Sequence, residues 1–208
     1  MNKNHKLILD SAKRYQDNLV GKNMLVIHQN RTTKKYLKTE FVFYSSNFLH
    51  FTGVDYRAST VNNKKSDLFF NKCINNELSL SDYTYRDDGT TRLKLDVLAE
   101  VVNIHKVATM IGDYNNSRPK LVTDKLYGNI RASIGAVATE NNYFVPNTAL
   151  KEDIRNIVSD WQPIKAIYIK DIGDEKYHFK NCTKISKDFD LELLDETIRE
   201  LLILKNDH

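Results

Sequence analysis

At 208 residues and 41% apolar content, the chain can bury a sizeable core in one large domain or two small ones. No run approaches the roughly 18 consecutive apolar residues of a membrane span. The basic opening through Lys6 soon meets Asp10, Lys13 and Arg14, which breaks a secretory-leader pattern, so the expectation is a cytoplasmic protein with no membrane partner. The formal net charge of +4 is compatible with a nucleic-acid partner without being diagnostic of one.

Residues 5–20 read as an amphipathic helix, with Leu7, Ile8, Ala12, Tyr15 and Leu19 on one face and Gly21 as a stop. Met24 to His28 is a short apolar strand. After the polar turn at Asn30 to Thr33, Tyr36 to Tyr44 returns as the second strand of a hairpin. The run Ser46-Asn47-Phe48-Leu49-His50-Phe51-Thr52-Gly53 sets one histidine among bulky apolar residues and closes on a glycine that permits a sharp turn. Ser66 is placed to cap a helix through Leu68, Phe69, Cys73 and Ile74. Asp87-Asp88-Gly89 is a turn, and Thr91 to about Ala108 is a second strong helix with Leu95, Leu98, Val101, Val102, His105 and Ala108 on its apolar side.

The pattern then shifts to short strands at Met110–Tyr114, Lys120–Tyr127, Ile130–Ala138 and Tyr143–Val145, separated by Asn- and Gly-rich turns, the signature of an antiparallel meander. A helical turn within Lys151–Ser159 and strands at Ile164–Lys170 and Tyr177–Phe179 follow. A last helix opening at Asp188 or Asp190 carries Leu191, Leu194, Ile198, Leu201 and Leu202 as a stripe. Strands and helices do not alternate as βαβ units, so the expected class is α+β, with helices packed on a meandering antiparallel β-sheet in a single domain. Within it, residues 1–22 form an N-terminal helix, 23–171 the core, and 172–208 a final strand and C-terminal helix. Cys73 and Cys182 are far apart, no CxxC pair exists, and no two of the six histidines stand at i, i+4, so neither a structural metal nor a cofactor is expected.

Four further stretches are distinctive in combination with Ser46–Gly53. They are Asp88-Gly89-Thr90-Thr91-Arg92-Leu93-Lys94-Leu95, Met110-Ile111-Gly112-Asp113-Tyr114-Asn115, Thr123-Asp124-Lys125-Leu126-Tyr127-Gly128-Asn129, and Tyr143 through Arg155 with Val145-Pro146-Asn147-Thr148 inside it. In this order the series resembles the phage-type barnase, EndoU, ColicinE5/D and RelE-like nuclease domains, in particular their fourth class, from about Asn23 to Asp171. The resemblance implies helices on a meandering antiparallel sheet, a phage or prophage source, and RNA cleavage without a metal. It carries over no residue roles.

Cleavage of RNA by its own 2′-hydroxyl needs a general base, a proton donor for the leaving oxygen and cationic or hydrogen-bonding groups around the phosphate. His50 is the candidate acid/base group, the plain alternative being a core histidine. Lys125 and Arg131 are candidate phosphate clamps, against an ion-paired strand end. Thr52, Tyr143, Asn147 and Thr148 are candidate substrate contacts. Thr52 equally satisfies a turn, Tyr143 equally packs in the core, and Thr148 equally caps the following helical turn. His105 and His28 read as structural, and His5 and His208 as terminal and mobile. The expected activity is a metal-independent endoribonuclease with RNA as partner. The alternatives are a non-catalytic phage protein that binds RNA, a nucleotide or a host defence factor, and an ADP-ribosyltransferase-like enzyme suggested by His50-Phe51-Thr52-Gly53.

Overall fold

The computed structural model describes residues 2–57, 64–117 and 119–203. Helix α1 (Lys3–Asn18) is capped by the Asn2 side chain, which accepts from the Asn4 and His5 amides, and it buries Ile8, Leu9, Ala12 and Tyr15. Strands β1 (Lys22–Gln29) and β2 (Tyr36–Phe43) form the expected hairpin. Next come α2 (Asn47–Thr52), β3 (Asp55–Tyr56), α3 (Lys65–Ile74), β4 (Tyr83–Thr84), α4 (Thr90–Val101) and α5 (Ile104–Val107). The second half supplies β5 (Met110–Asp113), β6 (Lys125–Gly128), β7 (Ser133–Ala138), β8 (Phe144–Leu150), β9 (Gln162–Asp171), β10 (Tyr177–His178), β11 (Cys182–Ile185), α6 (Glu196–Arg199) and β12 (Leu202–Ile203).

The α+β class holds, but the sheet is not an open meander. β5, β6, β7 and β8 do run as successive antiparallel neighbours. The ten-residue β9 then pairs with β1 along one edge, and with β5 at Gln162–Pro163 and β11 at Ala166–Tyr168 along the other. The ring closes where β2 meets β8 in parallel, giving a seven-stranded barrel with β11 appended. Closure gives each of the seven ring strands a neighbour on both sides. β9 can serve both sides because it is buried on both faces: Ile164, Ile167 and Ile169 join the main core, and Ala166 and Tyr168 a second cluster.

The seam between β2 and β8 is thin, with Phe41 opposite Phe144 as its one registered pair. Asn47, buried at the start of α2, bridges it. Its Oδ1 accepts from the Tyr44 amide at 2.7 Å, and its Nδ2 donates to the Pro146 carbonyl at 2.8 Å. Tyr15 backs this corner, donating to the Tyr44 carbonyl at 3.0 Å and packing its ring against Phe43, Phe48, Phe51 and Phe70.

Several expected elements differ. Ser66 caps nothing: α3 begins at Lys65 without a side-chain cap. The second strong helix divides at Val102–Asn103 into α4 and α5. The last helix breaks into a 3-10 turn at Leu191–Leu193 capped by Asp190, then α6 capped by Asp195, then β12. The break lets Leu194, Ile198 and Leu202 all reach Tyr168 and Tyr177 on the outer face of the barrel. Thr148 lies within β8 and caps no turn; Asp153 caps the 3-10 turn Ile154–Asn156. His105 and His28 are buried, and His5, expected to be mobile, is stacked on Tyr83 with its Nδ1 3.1 Å from the Tyr83 hydroxyl. His208 lies outside the described residues.

Asn47→Ala leaves the Tyr44 amide and the Pro146 carbonyl without their side-chain partners. It is expected to cost about 2–4 kcal/mol, read from the urea midpoint at unchanged slope.

Candidate active site

The Ser46–Gly53 run is not a strand: it holds the six-residue helix α2, lying against β8, α3 and α4. Gly53 ends it in the left-handed region, φ 66°, where glycine carries no penalty. A side chain there would also collide with Lys94, whose Cδ lies 2.7 Å from where a Cβ would stand. The Gly53 carbonyl accepts from the Thr91 hydroxyl at 2.6 Å, and that hydroxyl accepts from the Arg86 amide at 3.0 Å. The turn after α2 is thereby tied to the first turn of α4.

Lys94 sits on the buried face of α4 and is 9% exposed. Its Nζ donates to the His50 carbonyl at 2.7 Å and to the Thr148 hydroxyl at 3.0 Å. Among the described residues no carboxylate forms an ion pair with it. Burial pushes the ammonium down to about 8, the Arg86 charge adds to this, and Asp88 partly opposes it. The His50 side chain reaches the surface. Partial loss of water, then the charges of Lys94 and Arg86, hold its imidazole below the ordinary histidine value. At neutral pH the His50 imidazole is therefore neutral and the Lys94 amine largely protonated.

The Thr148 hydroxyl is presented from a β-bulge. Gly135 pairs with Thr148 and Ala136 with Pro146, so Asn147 is the extra residue. Asn147 anchors the bulge by donating to the Val122 carbonyl and accepting from the Thr123 hydroxyl at 3.3 Å. Three of the stretches quoted for the resemblance, at Ser46–Gly53, Asp88–Leu95 and Val145–Thr148, meet directly around Lys94. The Thr123 stretch reaches them through Asn147.

Of the expected site residues, His50 through its main-chain carbonyl and Thr148 through its hydroxyl meet at the Lys94 amine. Thr52 is wholly buried, its hydroxyl donating to the Leu49 carbonyl at 2.8 Å and accepting from the Val54 amide at 3.3 Å. Lys125 is elsewhere, ion-paired with Asp113 in a cavity that His50, Lys94 and Thr148 do not line, while Asp124 accepts from the Ala138 amide at 2.8 Å instead of orienting it. Arg131 is exposed, 3.9 Å from Glu100, and lines a surface recess with Asp96 and Lys151. Tyr143 is partly buried, its phenol raised by desolvation and then by Glu40.

The sequence reading missed Lys94. The signal was present: extending the apolar stripe of α4 back one turn gives Thr91, Lys94, Leu95 and Leu98, a helical i, i+3, i+4, i+7 series in which a lysine occupies a core position. Among the described residues no group of three or more His, Cys, Asp or Glu is placed to hold a metal ion, and no helix is long and apolar enough to cross a membrane.

No curated protein and no solved structure matches the chain. One protein family does, over residues 7–186 and so over every element that builds the Lys94 site. The chain belongs to that nuclease-type family, described as phage-Barnase-EndoU-ColicinE5/D-RelE like nuclease4.

Proposed function

We propose that the protein is a metal-independent endoribonuclease whose chemistry is carried by His50 and Lys94. The observation behind this reading is the Lys94 ammonium, buried between the His50 carbonyl and the Thr148 hydroxyl without a carboxylate partner. An unpaired buried cation costs stability, and groups displaced from their ordinary pKa in this way concentrate at functional sites. A phosphate supplies the missing counter-charge.

In this reading neutral His50 takes the proton of the 2′-hydroxyl as that oxygen bonds to phosphorus. Lys94 and Arg86 stabilise the charge that gathers on the phosphoryl oxygens. The bond from phosphorus to the 5′-oxygen breaks, Lys94 gives the leaving oxygen its proton, and a 2′,3′-cyclic phosphate remains. Lys94 thus replaces Lys125 and Arg131 as the central phosphate-facing cation, since Lys125 is already paired with Asp113; Arg86, itself paired with Asp55 at 3.1 Å, adds its charge at longer range. Thr148 helps aim the amine; Asn147 and Thr52 act by holding the bulge and the α2 turn. RNA is the partner this implies, a phage or prophage source and the bacterial cytoplasm its setting.

Pure protein incubated with total RNA in chelator is expected to yield cyclic-phosphate ends. The rate should rise as His50 deprotonates, below its ordinary value of about 6.5, and fall as Lys94 deprotonates around pH 8. His50→Ala should lower it by about 10²–10⁴-fold. RNA left intact at high protein excess between pH 5 and 9 sinks the proposal. Incorporation of label from a nicotinamide dinucleotide would favour ADP-ribosyl transfer instead.

Lys94 also ties function to stability. Its pKa is depressed on folding, so below about 8 the ammonium is charged in both states and the folded chain bears the full desolvation cost. As pH rises from there towards the unfolded value, the unfolded chain holds more protons and folding gains. Lys94→Met is therefore expected to stabilise the protein at pH 7 by about 1–3 kcal/mol while abolishing cleavage. The gain should fade above about pH 10.5. A destabilised Lys94→Met that still cuts RNA would make the lysine purely structural.

A further inference from the structure

A second polar site lies at the mouth of the barrel, in a cavity of about 500 Å³ separate from the His50–Lys94 pair. Its centre is His28, 5% exposed and set by a register shift between Ile27 and His28 in the pairing of β1 with β9. The His28 Nδ1 lies 2.6 Å from Gln162 Oε1, and its Nε2 lies 3.0 Å from Thr39 Oγ1. Burial above all pushes this imidazole down to about 4, so the ring is neutral at pH 7. A neutral ring facing a carboxamide oxygen carries its proton on Nδ1, and Nε2 then accepts from the Thr39 hydroxyl. The arrangement holds Gln162 with its NH₂ turned away from His28, and among the described residues that NH₂ makes no hydrogen bond.

The charges around the cavity are balanced. Lys125 is paired with Asp113, and its Nζ stands 5.4 Å from the centre of the Phe144 ring. Lys38 lies 3.6 Å from Glu40. The Asp195 carboxylate is engaged at the start of α6, accepting from the Ile198 amide at 3.0 Å and the Thr197 hydroxyl at 2.8 Å. Two lysines and two aspartates line the cavity, leaving no excess positive field to anchor a phosphate. The groups offered are an amide donor at Gln162, a carboxylate acceptor at Asp113 whose side chain is 74% exposed, and the aromatic ring of Phe144. Leu37 and Ile198 add apolar wall.

We infer that the barrel mouth is a binding site for a nucleobase, held by the Gln162 amide and the Asp113 carboxylate on its hydrogen-bonding edge and by Phe144 beside its face. A neutral planar ring with both donors and acceptors fits this set, and the volume is in the range of small-ligand pockets. The base is that of a free nucleoside or an unpaired base of a strand. The inference does not rest on RNA cleavage at Lys94.

The test is titration of the ¹⁵N-labelled full chain with adenosine, guanosine, cytidine and uridine, then with their 5′-monophosphates, inorganic phosphate and single-stranded tetranucleotides. At least one nucleoside should bind with a Kd below about 1 mM, shifting the amides of His28, Lys125 and Gln162, and its monophosphate should bind within about threefold of it. Asp113→Asn and Gln162→Leu should each weaken that binding by about tenfold, whereas Lys94→Met leaves it unchanged. A tetranucleotide that binds more tightly than the nucleoside identifies the strand as the source; one that binds no more tightly identifies the free nucleoside. Asp113 is surface-exposed, so its variant reads binding and not folding. The inference is overturned if no nucleoside shifts these amides at about 10 mM, if phosphate alone shifts them equally, or if Asp113→Asn strengthens monophosphate binding.

Discussion

The whole arrangement depends on how β2 and β8 are joined. Every other junction of the seven-stranded ring is an antiparallel ladder, whereas this one is parallel and holds a single registered pair, Phe41 with Phe144. A parallel junction requires a long crossover, and here the crossover contains the helices. Those helices fill the splay that the short pairing leaves. The polar groups of β8 near the seam are therefore met by side chains: Asn47 from α2 reaches the Pro146 carbonyl, and Lys94 from α4 reaches the Thr148 hydroxyl. The constraint that closes the barrel thus brings α2, α4 and β8 to one point.

At that point the fold accepts a cost. Lys94 lies on the same helical stripe as Leu95 and Leu98, with its stem passing the space that Gly53 leaves empty. A hydrophobic residue would suit the position better for stability, and two neutral acceptors do not neutralise an ammonium. In the proposed function the compensation is electrostatic readiness: a cation already stripped of water and fixed by two hydrogen bonds would interact strongly with an arriving anion without reorganising. Arg86 adds its charge to the same positive field, which helps to keep the exposed His50 imidazole neutral.

The barrel mouth works on an opposite principle. Its charges are balanced, and its histidine is kept neutral by burial and held in place by partners on both ring nitrogens. Lys125, read from sequence as a partner of His50, belongs here because β6 presents Lys125 and Tyr127 on one face, towards Phe144 and Phe41. Alternation along the strand, not proximity in sequence to the Gly128–Asn129 turn, decides which site it joins.

Much was legible from residue order alone. The period of α1, the β1–β2 hairpin and the run of short strands after Met110 follow from side-chain periodicity and turn chemistry, both local properties. The Phe48–Gly53 and Pro146–Thr148 stretches stood out for other reasons, an imidazole set among apolar residues and a motif order shared with a nuclease-type family. What residue order does not contain is closure. That β9 pairs with β1 and β5 at once, that Asn147 bulges to present Thr148, and that Lys94 rather than Lys125 stands with His50 are outcomes of long-range pairing. The broken C-terminal segment shows the same limit: its leucine stripe fits one helix, but docking Leu194, Ile198 and Leu202 on the barrel wall favours a chain twice recapped by Asp190 and Asp195. The sequence by itself determined which segments carry periodic apolar faces and which family the chain belongs to. Only the tertiary structure decided which chemical groups share a site, because a strand's register and a helix's docking angle are set by partners far away along the chain.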